Sequence, residues 1–368
     1  MEFGWDPALD KLRREAEEVA LRAAADLPVK EDSWINGYDR DFSRELGERG
    51  WLGMTWPKEY GGHERTALER FVVTEALIEN GAPIAASWFA DRQMGPSILA
   101  FGTDEQKRRY LPPMTRGESN WCIGMSEPDN GSDLAHLTTR AVPDGDSFVV
   151  TGRKVWTSFA ATADYCYLIC RTDADAPAHK GLSELIVPMD SPGVEVLPIT
   201  DMTTNRHFCE VVLDEVRVPA ANLVGELNGS WRQTMRQLEH ERGGIDRLVS
   251  NKALYRDARP HADTTDPRVR QEIAAIESSY RIGRLMVLKG VLGQGLPGMS
   301  AITKTFGTEF EQRVADFVGR TLGAEAMLWG RWARGICYGP AYTIMGGTSN
   351  VLRNIVGERV LGLPREPA

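Results

Sequence analysis

The chain has 368 residues, of which 42% are hydrophobic, 26% charged and 8% aromatic. That composition is ordinary for a soluble globular protein of two or three structural regions. The net charge is −9, and an acidic surface lacks the basic footprint that nucleic-acid binding needs. Cys122, Cys166, Cys170, Cys209 and Cys337 are an odd, scattered set and no disulfide framework. No apolar run approaches the length of a membrane span. The charged start MEFGWDPALDKLRREAEEVA does not read as a signal peptide, so a reducing cytoplasm is the expected setting.

Residues 1–118 read as a helical domain. Leu9, Leu12, Ala16, Val19 and Ala20 recur at three and four residues, as an amphipathic helix requires. Asp6-Pro7 is its start signal, with Asp as N-cap. Leu68 to Glu79 repeats the pattern. Thr103 and Gln106 have the spacing of a capping box at the head of another helix.

Residues 119–228 read as a β domain. DSFVVTGRKVWTS, DYCYLICRTD, LSELIVPMD and RHFCEVVLDEVRVP are short, rich in Val, Ile, Tyr and Cys, and separated by Gly, Pro and Asp. They lack the intervening helices of a parallel sheet, which predicts a mainly antiparallel barrel or sandwich. Residues 229–368 return to helix, with Asp266-Pro267 as a start and Val269, Ile273, Ile276 and Tyr280 on one face.

Neither Gly-x-Gly-x-x-Gly nor Gly-x-x-x-x-Gly-Lys-Ser/Thr occurs between a strand and a helix, so dinucleotide and P-loop readings lack support. Cys166 and Cys170 have metal-like spacing, but on a strand they share a face with Leu168, and a buried structural role is expected. WCIGMSEPDNGSDLAHLTTRA (121–141) places a polar, glycine-bearing turn after an apolar strand. Serine hydroxyls there can meet carbonyls or phosphates. RKVWTSFA follows, with a Trp that can stack on a flat ring and two hydroxyl residues beside it. Taken singly, these are an ordinary turn and a core Trp.

Together and in this order, SEPDNGSD (126–133) and GRKVWTS (152–158) resemble the acyl-CoA dehydrogenase family. So do WPKEYGG (56–62), FGTDEQKRRYLPPMTRGE (101–118) and the ending GGTSNVLRNIVGERVLGLPR (346–365). The resemblance implies an α+β fold with an N-terminal helical domain, a central β-barrel or sandwich domain and a C-terminal four-helix bundle. It also implies FAD and α,β-dehydrogenation of a CoA thioester. Ile123, Met125 and Ser126 take the place of flavin-ring contacts. Gly131 and Ser132 match the pair near the pyrophosphate, with Ser132 also near the CoA arm. Trp156, Thr157 and Ser158 match the segment packing on the flavin, Ser158 near N5. Thr348 and Asn350 match adenine-end contacts, and Gly347 lies where the thioester carbonyl would approach.

The reaction takes a proton from Cα and a hydride from Cβ, so it needs a carboxylate base. Many members place a Glu directly before the Gly-Thr of the C-terminal motif; here that position is Gly346. Its N–H can still polarise the thioester oxygen. Relatives acting on isovaleryl-CoA and long-chain acyl-CoA carry the Glu on the first helix of the C-terminal bundle, before an Arg. In MRQLEHERGGIDRLVSN the resemblance assigns Glu241 as base and Arg242 as a helper near substrate. Glu239 is the fallback, about 200° away around the helix, so both cannot face one site.

The family's Arg-x-x-Phe-Gly, which reaches the FAD of a neighbouring subunit, is poorly kept. Arg259 preserves an arginine, but Ala262-Asp263 stand where Phe-Gly would. The next FAD motif, Gln-x-x-Gly-Gly, is reduced to Gly323 without Gln. This resembles bacterial heterotetrameric dehydrogenases of steroid side-chain degradation. It implies a second acyl-CoA dehydrogenase subunit in an α2β2 tetramer, with a homotetramer as the alternative and electron-transfer flavoprotein as acceptor. The expected substrate is a bulky or branched acyl-CoA, a steroid side-chain ester first. Two alternatives stay open: a non-catalytic or FAD-sharing subunit of such a complex, and an O2-using acyl-CoA oxidase.

Overall fold

The computed structural model describes residues 6–28 and 30–365, with Glu239, His240 and Glu241 as backbone alone. The chain packs as two compact units, one of Met1–Tyr38, Arg65–Ile84 and Glu239–Ala368, the other of Asp39–Glu64 and Ala85–Leu238. The first is helical; the second holds the sheet.

Helix starts lie where the capping residues put them. Asp6 caps the helix Pro7–Ala23, accepting from the Ala8 N–H at 2.8 Å. Thr103 and Gln106 form a reciprocal box at the head of Asp104–Thr115, with bonds of 3.1 and 3.2 Å. Asp266 caps the long helix Pro267–Val291 through the Arg268 N–H, a contribution of about 1 kcal/mol each. The helix Ala67–Glu79 departs from the expected amphipathic pattern, because every residue from Phe71 to Glu79 is buried. Its two inner glutamates are tolerated because they are paired. Glu75 takes a bidentate bond from Arg284 at 2.5 and 2.8 Å, and Glu79 takes Arg13 and Lys252 at 2.6 and 2.5 Å.

In the same unit the helix Met299–Leu322 is the one that its neighbours pack around. Gly307 permits this, since a Cβ there would lie 2.0 Å from the Arg247 carbonyl oxygen. Phe310 and Phe317 fill the interior beside it.

Among the described residues, eight strands make one sheet: β1 (Trp121–Gly124), β2 (Arg140–Asp144), β3 (Ser147–Lys154), β4 (Tyr165–Arg171), β5 (Leu182–Pro188), β6 (Val194–Ile199), β7 (Phe208–Pro219) and β8 (Leu223–Val224). The order is β6-β7-β3-β2-β4-β5-β8, with β1 also on β4. Five ladders are antiparallel, as expected. Two are parallel, and both fall on β4: β1 pairs along Tyr165–Leu168 and β2 at Arg171. β1 and β2 thus run in tandem beside one strand, and residues 125–139 leave the sheet between them. β4 is buried on both faces, as a strand covered on each side must be. Cys166, Leu168 and Cys170 face one core with Val150, Val187 and Val211. Ile169 faces another with Leu134, Leu137 and Leu182. Cys166 and Cys170 are free thiols, and burial pushes the Cys170 thiol up to about 12, as for an inert core residue.

A carboxylate fixes the start of the helix Trp231–Arg242 to the sheet. Glu184 on β5 is buried and accepts from the Tyr167 hydroxyl at 2.7 Å, Gln233 Nε2 at 2.8 Å and the Thr234 hydroxyl at 2.8 Å. Burial raises its pKa, against those three donors. Glu184→Ala strands all three donors and should cost about 3 kcal/mol or more, read as a lower urea midpoint. Glu184→Gln, which keeps an acceptor, should lose less.

Candidate active site

The sheet unit brings the two flavin-like segments of the sequence side by side. β1 ends at Gly124, and the chain turns out through Met125 and Ser126. β3 ends at Lys154, and the chain turns out through Val155 and Trp156. The Val155 N–H donates to the Ser126 carbonyl at 2.9 Å, and Lys154 Nζ donates to the Met125 carbonyl at 3.1 Å. Ile123, Met125 and Ser126 are half-buried, while Gly131 and Ser132 are exposed further along the same turn.

Trp156 is no core residue. Its backbone is left-handed, φ +60°, a conformation uncommon for a bulky side chain. Its indole is 57% exposed, held edge-on by Phe208 at 5.8 Å. The strain is over-determined by the next residue: Thr157 exchanges two backbone bonds with Cys209, 2.9 and 3.1 Å. Phe159 is also left-handed, φ +61°. The Thr157 hydroxyl oxygen is buried without a hydrogen-bond partner among the described residues. Ser158 is 8% exposed. An exposed indole, a buried hydroxyl in want of a partner and half-buried residues of the opposite turn together fit a flat, heteroatom-bearing ring system.

Two residues that lie within the quoted motifs, but to which the sequence reading gave no role, hold this arrangement. Glu127 and Lys154 form an ion pair at 2.9 Å with side chains 2% and 1% exposed. Glu127 also accepts from the Thr138 N–H and hydroxyl at 2.6 and 2.7 Å and from the Thr139 N–H at 2.8 Å. Burial alone would raise its pKa, but the Lys154 ammonium and these donors outweigh it and hold the carboxyl at about 2. Burial draws the Lys154 pKa down, and Glu127 opposes that. Lys154 was legible in principle: Phe148 and Val150 face inward on β3, and a period of two carries that face to Lys154.

In the helical unit, the helix Trp231–Arg242 ends on the residues that the resemblance singled out. The side chains of Glu239 and Glu241 lie outside the described residues. Arg242 is described, and its Nε donates to the Gly346 carbonyl at 3.3 Å. The end of this helix therefore meets the Gly346–Gly347 turn. Gly346 and Gly347 are both left-handed, φ +67° and +91°. Thr348 caps the following helix Ser349–Ile355 through the Val351 N–H, and Asn350 is exposed on it. Arg259 is exposed in the turn Arg259–His261, 3.6 Å from Glu277.

Comparison with known proteins decides the family. Residues 7–118, 122–216 and 228–361 match the models of the N-terminal, middle and C-terminal domains of acyl-CoA dehydrogenases.

The chain belongs to the acyl-CoA dehydrogenase family.

It is an oxidoreductase acting on acyl-CoA. It is similar to acyl-CoA dehydrogenase IpdE1 of Mycobacterium tuberculosis, 34% identical over 89% of this chain and 88% of that one. The structure named Tcur3481-Tcur3483 steroid ACAD is 35% identical, covers both chains fully and has a TM-score of 0.89. The ChsE4-ChsE5 complex from Mycobacterium tuberculosis is 32% identical, with full coverage of both chains and a TM-score of 0.85. The dehydrogenase thus resembles steroid-degradation members. Among the described residues, no helix is long and apolar enough to cross a membrane.

The Glu127 carboxyl gives a pH signature. Its pKa is depressed on folding, so its stabilisation is present above the unfolded value of about 4.3 and lost as pH falls toward about 2. The stability gap between the wild-type dehydrogenase and Glu127→Gln, from urea titrations, should be widest above about pH 5 and narrow on acidification.

Proposed function

We propose that this protein dehydrogenates a bulky or branched acyl-CoA at Cα–Cβ, a steroid side-chain thioester before a short branched one, using FAD. The observation that carries the FAD reading is the exposed, left-handed Trp156 beside the unpartnered Thr157 hydroxyl and the Met125–Ser126 turn. When bound, FAD supplies the acceptor for the β-hydride at N5. Ile123, Met125 and Ser126 hold the ring from one turn, and Trp156, Thr157 and Ser158 from the other. Gly131 and Ser132 attend the pyrophosphate, with Ser132 also beside the CoA arm. Thr348 and Asn350 serve the adenine end, and Arg259 serves a neighbouring subunit's cofactor.

Glu241 takes the α-proton. Arg242 on the same helix end touches the Gly346 carbonyl, which supports placing the base where the missing Glu of the turn would otherwise act. The Gly346 N–H holds the thioester oxygen, so charge developing on that oxygen is met by a fixed dipole. With no side chain at Gly346, where many members carry a Glu, the volume of that side chain is left to a wide acyl group. That is the support for a bulky substrate, together with likeness to a protein named as a steroid dehydrogenase.

Weak Arg-x-x-Phe-Gly and Gln-x-x-Gly-Gly segments, and likeness to a structure named as a two-protein complex, support a second acyl-CoA dehydrogenase subunit in an α2β2 assembly. Electron-transfer flavoprotein is the acceptor in this reading. The three sequence domains divide at 118/119 and 228/229.

Glu241→Gln should abolish bleaching of the flavin by acyl-CoA while leaving the flavin spectrum intact; near-normal turnover would sink the base assignment. Trp156→Ala should release flavin on gel filtration without lowering the folded yield. Expressed alone, the chain should bind FAD substoichiometrically; a fully flavinylated, active homotetramer would remove the partner.

A further inference from the structure

The diglycine turn has two carbonyls that its own backbone does not satisfy, and each meets a cationic side chain from a different helix. Arg242 Nε takes the Gly346 carbonyl at 3.3 Å. Lys304, from the helix Met299–Leu322, takes the Gly347 carbonyl at 2.7 Å and the Tyr342 carbonyl at 3.1 Å. Lys304 is fully buried. A lysine is so placed only when its amino group finds acceptors. Tyr342 ends the helix Arg331–Tyr342, where carbonyls have no intrahelical partner and the helix dipole favours a cation. One amino group therefore joins the end of that helix to the turn that follows it.

Two consecutive left-handed glycines would otherwise be the loosest point of the segment, because glycine has the widest backbone freedom. A trans peptide sets its C=O and N–H antiparallel. Fixing the Gly346 and Gly347 carbonyls therefore fixes the direction of the Gly347 and Thr348 N–H groups as well. The planes on both sides of Gly347 are set by these two cationic side chains. Space beside Gly347 is tight too: a Cβ there would lie 3.2 Å from Arg242 Nη2.

We infer that Lys304 is a positioning residue for the dehydrogenation: together with Arg242 it fixes the two peptide planes that follow Gly346, and so holds in one conformation the turn that carries the Gly346 N–H proposed above for the thioester oxygen. The inference rests on the function proposed above and adds a residue to it. Lys304 touches neither substrate nor cofactor in this arrangement; it acts through the peptide planes. Its loss should reach the transition state more than the ground state, since the dipole matters most where charge develops on the oxygen.

The test uses the complex purified with its partner. Lys304→Met removes the amino group at similar length, and Lys304→Gln keeps N–H donors without the charge. Lys304→Met should lower kcat on the order of ten- to a hundredfold, the scale of a misaligned catalytic geometry, with KM changed by no more than about threefold. A bound chromophoric α,β-unsaturated acyl-CoA, whose absorption moves to the red when its carbonyl is polarised, should lose most of that shift in Lys304→Met and regain part of it in Lys304→Gln. A folded, flavin-loaded Lys304→Met with wild-type kcat and red shift overturns the inference. So does failure of both variants to fold, which makes Lys304 a structural residue only. If no acyl-CoA bleaches the wild-type complex, the functional reading itself has failed, and the inference falls with it.

Discussion

The buried ion pair of Glu127 and Lys154 is the constraint on which the sheet unit's site depends. β1 and β2 occupy one edge of β4 in tandem, so the segment from 125 to 139 has no ladder of its own to follow. Something else must fix it. Glu127 ties its two ends together, with Lys154 on one side and the Thr138 and Thr139 N–H groups on the other. Lys154 then makes a further bond to the Met125 carbonyl. A buried pair of this kind is weak evidence for net stability, yet removing one member typically costs about 3–5 kcal/mol, because the other charge is left stranded. The pair therefore specifies one geometry of the turn more than it deepens the fold. That is what a rigid cofactor platform needs.

The helical unit repeats the device. Lys304 reaches the Gly347 carbonyl as Lys154 reaches that of Met125. Both are wholly buried lysines on a regular element, and both donate to a carbonyl of an irregular segment for which a site role is proposed. A loop that offers N–H groups to a ligand turns its carbonyls inward, and those carbonyls need donors there. Lysine suits this role because its long stem crosses a packed layer and its head has three protons to place.

Much of this fold was legible from local chemistry. Asp6, Thr103 with Gln106, and Asp266 name their helix starts because a cap is a contact over two or three residues. The strand segments show themselves by β-branched content and turn punctuation, and the Cys166–Leu168–Cys170 face follows from the period of two. The parallel pairing of β1 and β2 with β4 was not legible, since it links residues 44 and 31 apart by backbone alone. Burial of the whole Ala67–Glu79 helix was hidden for a related reason. Glu75 and Glu79 look like a solvent face until Arg284, Arg13 and Lys252 arrive from elsewhere in the chain. At the site, Trp156 could be read as a stacking residue only through its company. Its exposure comes from a left-handed backbone that no propensity assigns to tryptophan. Lys304 gave no signal at all, because its meaning lies with a carbonyl 43 residues later.

The geometry of the diglycine turn bears on why the base is proposed on a helix in this chain. Gly346 sits at φ +67°, where an L side chain costs roughly 1–2 kcal/mol. A glutamate at that position would have to bear this strain or change the turn. Changing the turn would break the Arg242 and Lys304 bonds to the Gly346 and Gly347 carbonyls. In the function proposed here the turn holds an oxygen, which N–H groups on a fixed backbone do well. A proton acceptor is better carried on a helix, whose backbone tolerates any side chain and whose end Arg242 already ties to the same turn. Under the proposed function, separating the two roles would also leave the volume of a glutamate to an acyl group of greater width.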